Sequence, residues 1–256
     1  MKSFEAFNQL HNNASPLLIG NIWDVRSAKM FEANDFKAIG TSSDALAKTF
    51  GYEDGESLPF DTIVQLAKRV VEVVNIPFSV DTEGGYSRTT AGIIENIKKL
   101  HDVGVVGINL EDTVPGDTRQ LQPVAAFQKI LSGIADSLSQ QNIKMFLNIR
   151  TDGFILGMPT ALDETLIRIK SYESTGACGI FVPCITKTED IMKVVNATKL
   201  PVNVMCMPEL PNFEELKKIG VKRISIGTFF NNYLDRKAEA AINTVVKENN
   251  FSALFK

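Results

Sequence analysis

The sequence is poor in the residue types on which disulfide, thiolate–metal and membrane proteins depend. Its 256 residues include three Cys, two His and one Trp. An odd number of Cys without metal-type spacing argues against a disulfide framework and favours a reducing compartment. No apolar run approaches the ~20 residues needed to cross a bilayer, and the opening MKSFEAFNQLHNN lacks the apolar segment of a signal peptide. We therefore expect a cytoplasmic protein without a membrane partner.

An excess of charge of either sign is also lacking. Lys and Arg total 27 against 30 Asp and Glu, so the formal net charge is −3. Nucleic-acid-binding proteins normally carry a concentrated basic stripe, so we expect no nucleic-acid partner. Hydrophobic residues make up 44% of the chain, an ordinary value for a globular protein. No linker-like stretch divides the sequence, and residues 1–256 are predicted to form one domain.

Short apolar, β-branched runs recur along the chain, each bounded by turn signals, as buried parallel strands are. The eight runs cover residues 17–21, 38–41, 77–80, 105–110, 144–149, 179–182, 201–204 and 222–226. Helix-like stretches lie between them, at residues 61–75, 90–103, 123–138, 161–175, 187–198 and 212–219, with Asp61 as the predicted N-cap of the first.

Eight strand–helix units in about 250 residues predict an α/β fold of the (β/α)8 TIM-barrel type, with parallel strands. An open doubly wound sheet is the alternative. Because no Gly-rich GxGxxG loop follows the first run, the barrel is favoured.

Polar residues follow the first five runs, and the C-terminal strand ends are where barrel enzymes place their active sites. These residues are Trp23 and Asp24; Ser42, Ser43 and Asp44; Asp81 and Glu83; Glu111 and Asp112; and Arg150 and Asp152. Clustered carboxylates repel unless a cation neutralises them, and oxygen ligands without His or Cys favour Mg²⁺. Arg150 adds a planar fork that suits a carboxylate or phosphate. The pattern predicts a Mg²⁺ site beside a small anionic substrate, where a 2-oxo acid could react through an enolate.

Each of these residues also has a purely structural interpretation. The acids after the third and fourth runs could cap helices, Arg150 and Asp152 could form an ion pair at the barrel rim, and Trp23 could belong to the core. The three Cys suit small buried hydrophobic positions. The hypothesis of an active site rests on the recurrence of acid or Arg at consecutive strand ends.

Ordered segments of the chain resemble the isocitrate lyase / phosphoenolpyruvate mutase superfamily, and most of all its short phosphonomutase-like members. The matching segments are GNIWDVRSAKMFEANDFKAIGTSS, FGYEDGE, FSVDTEGGYS, GINLEDT, NIRTD and PVNVMCMPELPNFEELKKIGVKRISIG. They span residues 20–228 in the family's order. The resemblance implies a single barrel, a homo-oligomer (usually a tetramer) that exchanges its last helix between neighbouring barrels, and a Mg²⁺ cofactor.

The resemblance also implies roles for individual residues. Asp81 matches the direct Mg²⁺ ligand, and Asp54, Glu83 and Glu111 match acids that hold metal-bound waters. Trp23, Ser42, Ser43 and Asp44 match the segments that line a 2-oxo acid, with backbone N–H groups near Ser43 and Asp44 receiving its carboxylate. Arg150 matches the substrate-binding arginine, and Arg150, Asp54 and Glu111 are the candidate catalytic residues.

The loop at residues 113–123 departs from the family pattern. Family lyases carry a Lys-Arg-Cys-Gly-His type loop whose Cys supplies a proton, and the mutases use a Lys and an Asn. This loop has no Cys, Lys, His or Asn, and Arg119 is its only cation. Its polar composition, with Gly116 as a hinge, predicts a lid that covers the mouth of the barrel when substrate binds.

Three functions follow as hypotheses. The first is a Mg²⁺-dependent enzyme that cleaves a C–C bond or decarboxylates a small 2-oxo acid through a metal-stabilised enolate. The second is P–C bond chemistry, as in a phosphonomutase or a phosphonopyruvate hydrolase. The third is a barrel that binds 2-oxo acids without catalysis, because the loop at 113–123 lacks an obvious acid or base.

Overall fold

A computed structural model of the protein describes residues 2–115 and 119–255. Its strands are β1 Leu17–Ile22, β2 Ala38–Thr41, β3 Phe78–Asp81, β4 Gly107–Glu111, β5 Thr113–Val114, β6 Gln120–Leu121, β7 Phe146–Arg150, β8 Gly179–Phe181, β9 Val202–Met205 and β10 Arg223–Ser225. Eight of them form a closed, all-parallel barrel in the order β1-β10-β9-β8-β7-β4-β3-β2, while β5 and β6 pair as an antiparallel hairpin. The predicted (β/α)8 TIM barrel is confirmed. The single-domain organisation of residues 1–256 stays a prediction.

Helices surround the barrel, and most of them link one strand to the next. They are α1 Phe4–Leu10, α2 Val25–Ala33, α3 Ser43–Phe50, α4 Phe60–Val73, α5 Thr90–Asp102, α6 Val124–Gln140, α7 Ala161–Tyr172, α8 Thr188–Asn196, α9 Phe213–Ile219 and α10 Phe229–Glu248, followed by a short 3-10 helix at Ser252–Phe255. The predicted N-cap at Asp61 is wrong. α4 begins at Phe60 after Pro59, and Asp61 lies in its first turn, where a negative charge suits the positive end of the helix dipole.

The apolar faces of the helices pack on the outside of the barrel. In α4, Ile63, Ala67 and Val70 are buried at intervals of three and four residues, the spacing that places side chains on one helical face. They belong to the same core as the outward-facing strand residues Ile39 and Val80. The core therefore lies between the barrel and its helices and holds the strand ends in place.

The helix α1 closes the N-terminal end of the barrel. Phe7 packs there with Phe146, and the ring of His11 stacks on Phe146 with centroids 4.2 Å apart. His11 Nδ1 lies 2.8 Å from the carbonyl oxygen of Phe7. Burial, and secondarily the positive charge of Arg223, lowers the pKa of His11 to about 3, so the imidazole is neutral at physiological pH.

Polar side chains fill the barrel interior above this floor. Arg223 is fully buried, and its Nη2 donates to Asn109 Oδ1 at 3.4 Å. Asn148 Nδ2 donates to the same oxygen at 2.8 Å. Burial lowers the pKa of Arg223 to about 10, against the favourable charge of Asp81. The buried charge of Arg223, near the closed end of the barrel, thus interacts with the carboxylate of Asp81 at the mouth.

The contribution of His11 to stability is expected to fall as the pH drops below about 6.5, because His11 accepts a proton in the unfolded chain but stays neutral in the folded one down to about pH 3. At about pH 5.5 this difference costs about 1.3 kcal/mol relative to neutral pH. Urea unfolding of the wild type and His11→Phe at both pH values measures it. Between the two pH values, the free energy of unfolding should fall further in the wild type than in His11→Phe, by the amount given above. The variant His101→Phe, which replaces a partly exposed histidine, should behave like the wild type. Equal losses in wild type and His11→Phe would contradict the assignment.

Within residues 2–115 and 119–255, no helix is long and apolar enough to span a membrane. Much of α10 is exposed, including Ile242 and Val246. The exchange of this helix between subunits, the tetramer and the cytoplasmic location stay predictions.

Candidate active site

A cavity of about 150 Å³ lies at the C-terminal mouth of the barrel. Six residues predicted for the site line it: Ser42, Ser43, Asp44, Asp54, Asp81 and Arg150. The side chains of Asn21, Asn109 and Ser225 reach it from inside the barrel, and Phe181, Pro183 and Met205 supply an apolar wall. A larger hollow of about 470 Å³ on the outer surface, near Phe4 and Lys144, contains none of the predicted site residues. The cavity at the mouth of the barrel is therefore the candidate ligand-binding site.

The N-terminus of α3 forms one side of this cavity. Ser42 is its N-cap, and Ser42 Oγ accepts a hydrogen bond from the N–H of Ala45 at 3.4 Å. The first N–H groups of a helix have no partner inside the helix, and Ser43 and Asp44, the first two residues of α3, line the cavity. Backbone donors and the helix dipole together suit an anion such as a carboxylate.

Asp81 ends β3 and projects into the cavity from the barrel interior. It is 8% exposed, and its Oδ1 accepts a hydrogen bond from the N–H of Glu83 at 3.3 Å. Burial raises the pKa of Asp81, the positive charge of Arg150 opposes that shift, and the negative charge of Asp54 adds to it. A buried carboxylate in this setting gains from any cation that enters the cavity.

Glu83 is held beneath the loop that carries Asp54. Its two carboxylate oxygens accept hydrogen bonds from the N–H of Glu56 at 3.1 and 3.0 Å, and Tyr86 donates its hydroxyl to Oε1 at 2.9 Å. Burial and the charges of Asp54, Asp81 and Glu111 raise the pKa of Glu83 to about 8. Its φ of 47° is unusual for a residue other than Gly, and such strain is concentrated at functional sites.

Glu111 and Arg150 end neighbouring strands in register and meet at the mouth. Arg150 Nη1 lies 3.0 Å from Glu111 Oε2, while Arg150 Nε and Nη2 donate to the two oxygens of Asp152 at 2.6 and 3.0 Å. Burial raises the pKa of Glu111 to about 7, although the charge of Arg150 favours the ionised form. A guanidinium has five N–H donors, so this arrangement leaves donors of Arg150 for a ligand in the cavity.

The acids outnumber the cations at this mouth. Among the described residues the cluster contains the carboxylates of Asp54, Asp81, Glu83, Glu111 and Asp152, and the guanidiniums of Arg119 and Arg150. Glu111 Oε2 is buried, and its ion-pair partner is Arg150 Nη1 at 3.0 Å. Excess negative charge and an all-oxygen donor set fit a hard divalent cation that keeps part of its water shell.

The described residues do not form a complete protein cage for such an ion. No group of three or more His, Cys, Asp or Glu side chains in residues 2–115 and 119–255 is arranged to hold a metal. This geometry is compatible with one direct carboxylate and further acids that act through water, which is the usual way for proteins to bind Mg²⁺.

Two of the residues predicted to line the substrate, Trp23 and Asp44, make contacts with other parts of the protein. Trp23 does not line the cavity, and its ring packs against Phe230 with centroids 6.3 Å apart. The carboxylate of Asp44 pairs with Lys48 at 2.7 Å, which offsets its negative charge beside the cavity. Contact of either residue with substrate stays a prediction.

A second buried ion-pair network lies behind the site and was missed by the sequence analysis. Asp112 Oδ2 lies 3.0 Å from Arg168 Nη1 and accepts the hydroxyl of Tyr172 at 3.1 Å. Asp112 Oδ1 accepts the N–H of Asp152 at 3.3 Å. Arg168 and Tyr172, on α7, thereby support the loop that presents Asp152 to Arg150. A charged residue on the buried face of an amphipathic helix is the signal that could have revealed it.

The loop at residues 113–123 begins and ends as the hairpin of β5 and β6. Arg119, next to β6, lines the cavity. The predicted hinge Gly116 lies outside the described residues, and closure of this loop over substrate stays a prediction.

Comparisons with known proteins agree with the geometry. Residues 7–246 match the family model described as phosphoenolpyruvate phosphomutase. An uncharacterized protein of Mycobacterium tuberculosis is 30% identical over 223 residues, which cover 87% of this chain and 82% of that protein. An oxaloacetate decarboxylase of Bradyrhizobium sp. is 24% identical over 216 residues, which cover 81% of this chain and 71% of that protein.

A solved structure shows similarity to this chain in both fold and sequence. A candidate phosphonomutase from Burkholderia cenocepacia superposes with a TM-score of 0.89 at 31% sequence identity, covering 94% of this chain and 99% of that chain. The ordered motifs, the closed barrel and these relatives lead to one conclusion. The chain belongs to the phosphoenolpyruvate phosphomutase family, within the isocitrate lyase / phosphoenolpyruvate mutase superfamily of enzymes.

Proposed function

We propose that the protein is a Mg²⁺-dependent lyase acting on a small 2-oxo dicarboxylate. It would break a C–C bond at the carbon adjacent to the carbonyl, on the side away from the carbonyl, with decarboxylation as the first choice. One observation carries the proposal: a single cavity of about 150 Å³ brings together Asp81, Arg150 and the N-terminus of α3. The similarity to an oxaloacetate decarboxylase supports the substrate class.

Asp81 would be the direct ligand of Mg²⁺, and Asp54, Glu83 and Glu111 would hold its waters. When bound, the ion supplies positive charge beside the carboxylate and 2-oxo oxygens of the substrate. The buried carboxyls of Asp81 and Glu83, whose pKa values are raised in its absence, fit this role because a cation would offset the cost of their ionisation.

The chain's own residues would bind and orient the anion. The N–H groups of Ser43 and Asp44 would receive the carboxylate that adjoins the carbonyl, at the positive end of α3. Arg150 would donate to the oxygen on which negative charge develops as the C–C bond breaks and its electron pair moves toward the carbonyl. Phe181, whose ring lies 5.9 Å from the Arg150 guanidinium carbon, would keep water from that side.

The test is the release of CO₂ from oxaloacetate by the purified protein with Mg²⁺ and with a chelator. Free Mg²⁺ also promotes this reaction, so Asp81→Asn protein in the same buffer is the background. We expect turnover by the wild type with Mg²⁺ and a loss of about 100-fold or more in the variant. The variant should fold normally, because Asn keeps the shape of Asp81 without a buried charge. Equal rates in all reactions would contradict the decarboxylase.

P–C bond chemistry is the second candidate, because the candidate phosphonomutase from Burkholderia cenocepacia is 31% identical. Phosphonopyruvate added in place of oxaloacetate distinguishes the two. Release of phosphate would indicate hydrolysis, and formation of phosphoenolpyruvate would indicate a mutase. Tight binding of both compounds without any product would favour the non-catalytic barrel.

A further inference from the structure

Arg119 is a second guanidinium in the wall of the cavity, beside Arg150. Its side chain is 23% exposed, and its Nη2 lies 3.3 Å from Glu111 Oε1 and 3.9 Å from Asp54 Oδ2. Its Nη1 lies 3.5 Å from Asp152 Oδ2. One flexible side chain therefore reaches carboxylates from three separate segments at the mouth.

The three ion pairs of Arg119 are long compared with those of Arg150. Arg150 Nε lies 2.6 Å from Asp152 Oδ1, whereas no carboxylate in residues 2–115 and 119–255 comes closer to Arg119 than 3.3 Å. Charge-assisted hydrogen bonds are typically about 2.7–2.9 Å long. Among the described carboxylates, Arg119 is thus placed by the negative charge of the cluster more than by tight hydrogen bonds, and a cation that enters the cluster can take over its role.

Two of the acids beside Arg119, Asp54 and Glu111, are those assigned above to the waters of Mg²⁺. A guanidinium and a divalent cation repel each other and compete for the same carboxylate oxygens. When the cation and its waters neutralise these carboxylates, Arg119 would lose its attraction to them but stay next to β6 in the cavity wall. Its planar fork is then available for another anion.

We propose that Arg119 occupies the acids in the absence of metal and, once the cation binds, recognises the anionic group at the far end of the substrate. This inference rests on the proposed function. The N-terminus of α3 and Arg150 serve the 2-oxo acid end, so Arg119 provides the second anchor. The site therefore prefers ligands with two anionic ends over a 2-oxo monocarboxylate such as pyruvate.

Arg119→Gln separates the two roles because they change binding in opposite directions. Without ligand, the variant should bind Mn²⁺, used as the probe ion, on the order of tenfold more tightly, since a competing charge is gone. With the ion present, it should bind the dicarboxylate 3,3-difluorooxaloacetate about tenfold to 100-fold more weakly and bind pyruvate as the wild type does. Titration calorimetry and the electron paramagnetic resonance signal of free Mn²⁺ measure these affinities without turnover.

Two further variants act as controls. Arg119→Lys keeps a positive charge and should recover part of the dicarboxylate affinity. Arg69→Gln removes an exposed arginine that pairs with Glu72 on α4, and it should leave every affinity unchanged. Unchanged Mn²⁺ affinity in Arg119→Gln, or equal losses for pyruvate and the dicarboxylate, would overturn the inference alone. If the wild type binds neither Mn²⁺ nor pyruvate, the proposed function is overturned and this inference with it.

Discussion

Replacing Arg150 by lysine is expected to lower kcat/KM for a 2-oxo dicarboxylate by about 100-fold or more, while the protein still folds. Arg150 places Nε and Nη2 on Asp152 at 2.6 and 3.0 Å and Nη1 beside Glu111 at 3.0 Å. Lysine keeps the positive charge that these two buried acids need. It cannot hold Asp152 with one edge of the side chain and present donors to a ligand with another.

Steady-state kinetics and thermal unfolding of the same preparation measure the two halves of this prediction. The exposed substitution Arg69→Lys is the matched control and should change neither. A kcat/KM that stays within about threefold of the wild type would remove Arg150 from the substrate-binding site. Loss of the folded state in Arg150→Lys would show that charge alone does not satisfy the cluster, and Arg150→Gln would then be needed to compare packing with charge.

Replacing Arg168 by methionine is expected to lower the free energy of unfolding by about 3–5 kcal/mol. The substitution leaves the carboxylate of Asp112 buried, with the Tyr172 hydroxyl still donating to it. Burial already raises the pKa of Asp112, and the positive charge of Arg168 is the largest opposing influence. Without that charge the carboxyl must take up a proton or remain as an uncompensated buried anion.

Urea unfolding checks this value, and two other variants identify its cause. The double variant Asp112→Asn/Arg168→Met removes the stranded charge and should be more stable than Arg168→Met alone. Glu164→Gln removes the partly exposed partner of Arg168 on the same helix and should cost no more than about 1 kcal/mol. A double variant that is no more stable than Arg168→Met would point to lost packing instead of a buried charge.

The barrel and the site acids were predictable because the rules that place them are local. Runs of apolar residues mark the strands, and Asp81, Glu111 and Arg150 each stand at the C-terminal end of such a run. Their convergence then follows from the closure of a parallel barrel. Glu111 and Asp112 are adjacent but have different ion-pair partners, because successive side chains along a strand point to opposite sides. Glu111 faces Arg150 and Asp112 faces Arg168.

The partners of those acids were not predictable in the same way. Arg168 lies 56 residues from Asp112 in sequence, and nothing local connects them. The contacts at the closed end of the barrel were not predictable either. The sequence places His11 in a helical stretch, and its stacking on Phe146 depends on the complete fold. The short helices α2 and α3 were also missed, since segments of nine and eight residues carry little periodicity of their own and depend on caps and packing.

The opposite placement of α1 and α10 has a practical consequence for handling the protein. α1 seals the closed end of the barrel around Phe7, whereas α10 starts directly after Thr228, a residue of the cavity wall. An affinity tag or a fusion partner joined ahead of α1 would face away from the mouth and leave it open to added ligands. Immobilisation on a sensor surface through α10 would instead pull on the rim of the cavity, so the amino-terminal side is the better point of attachment.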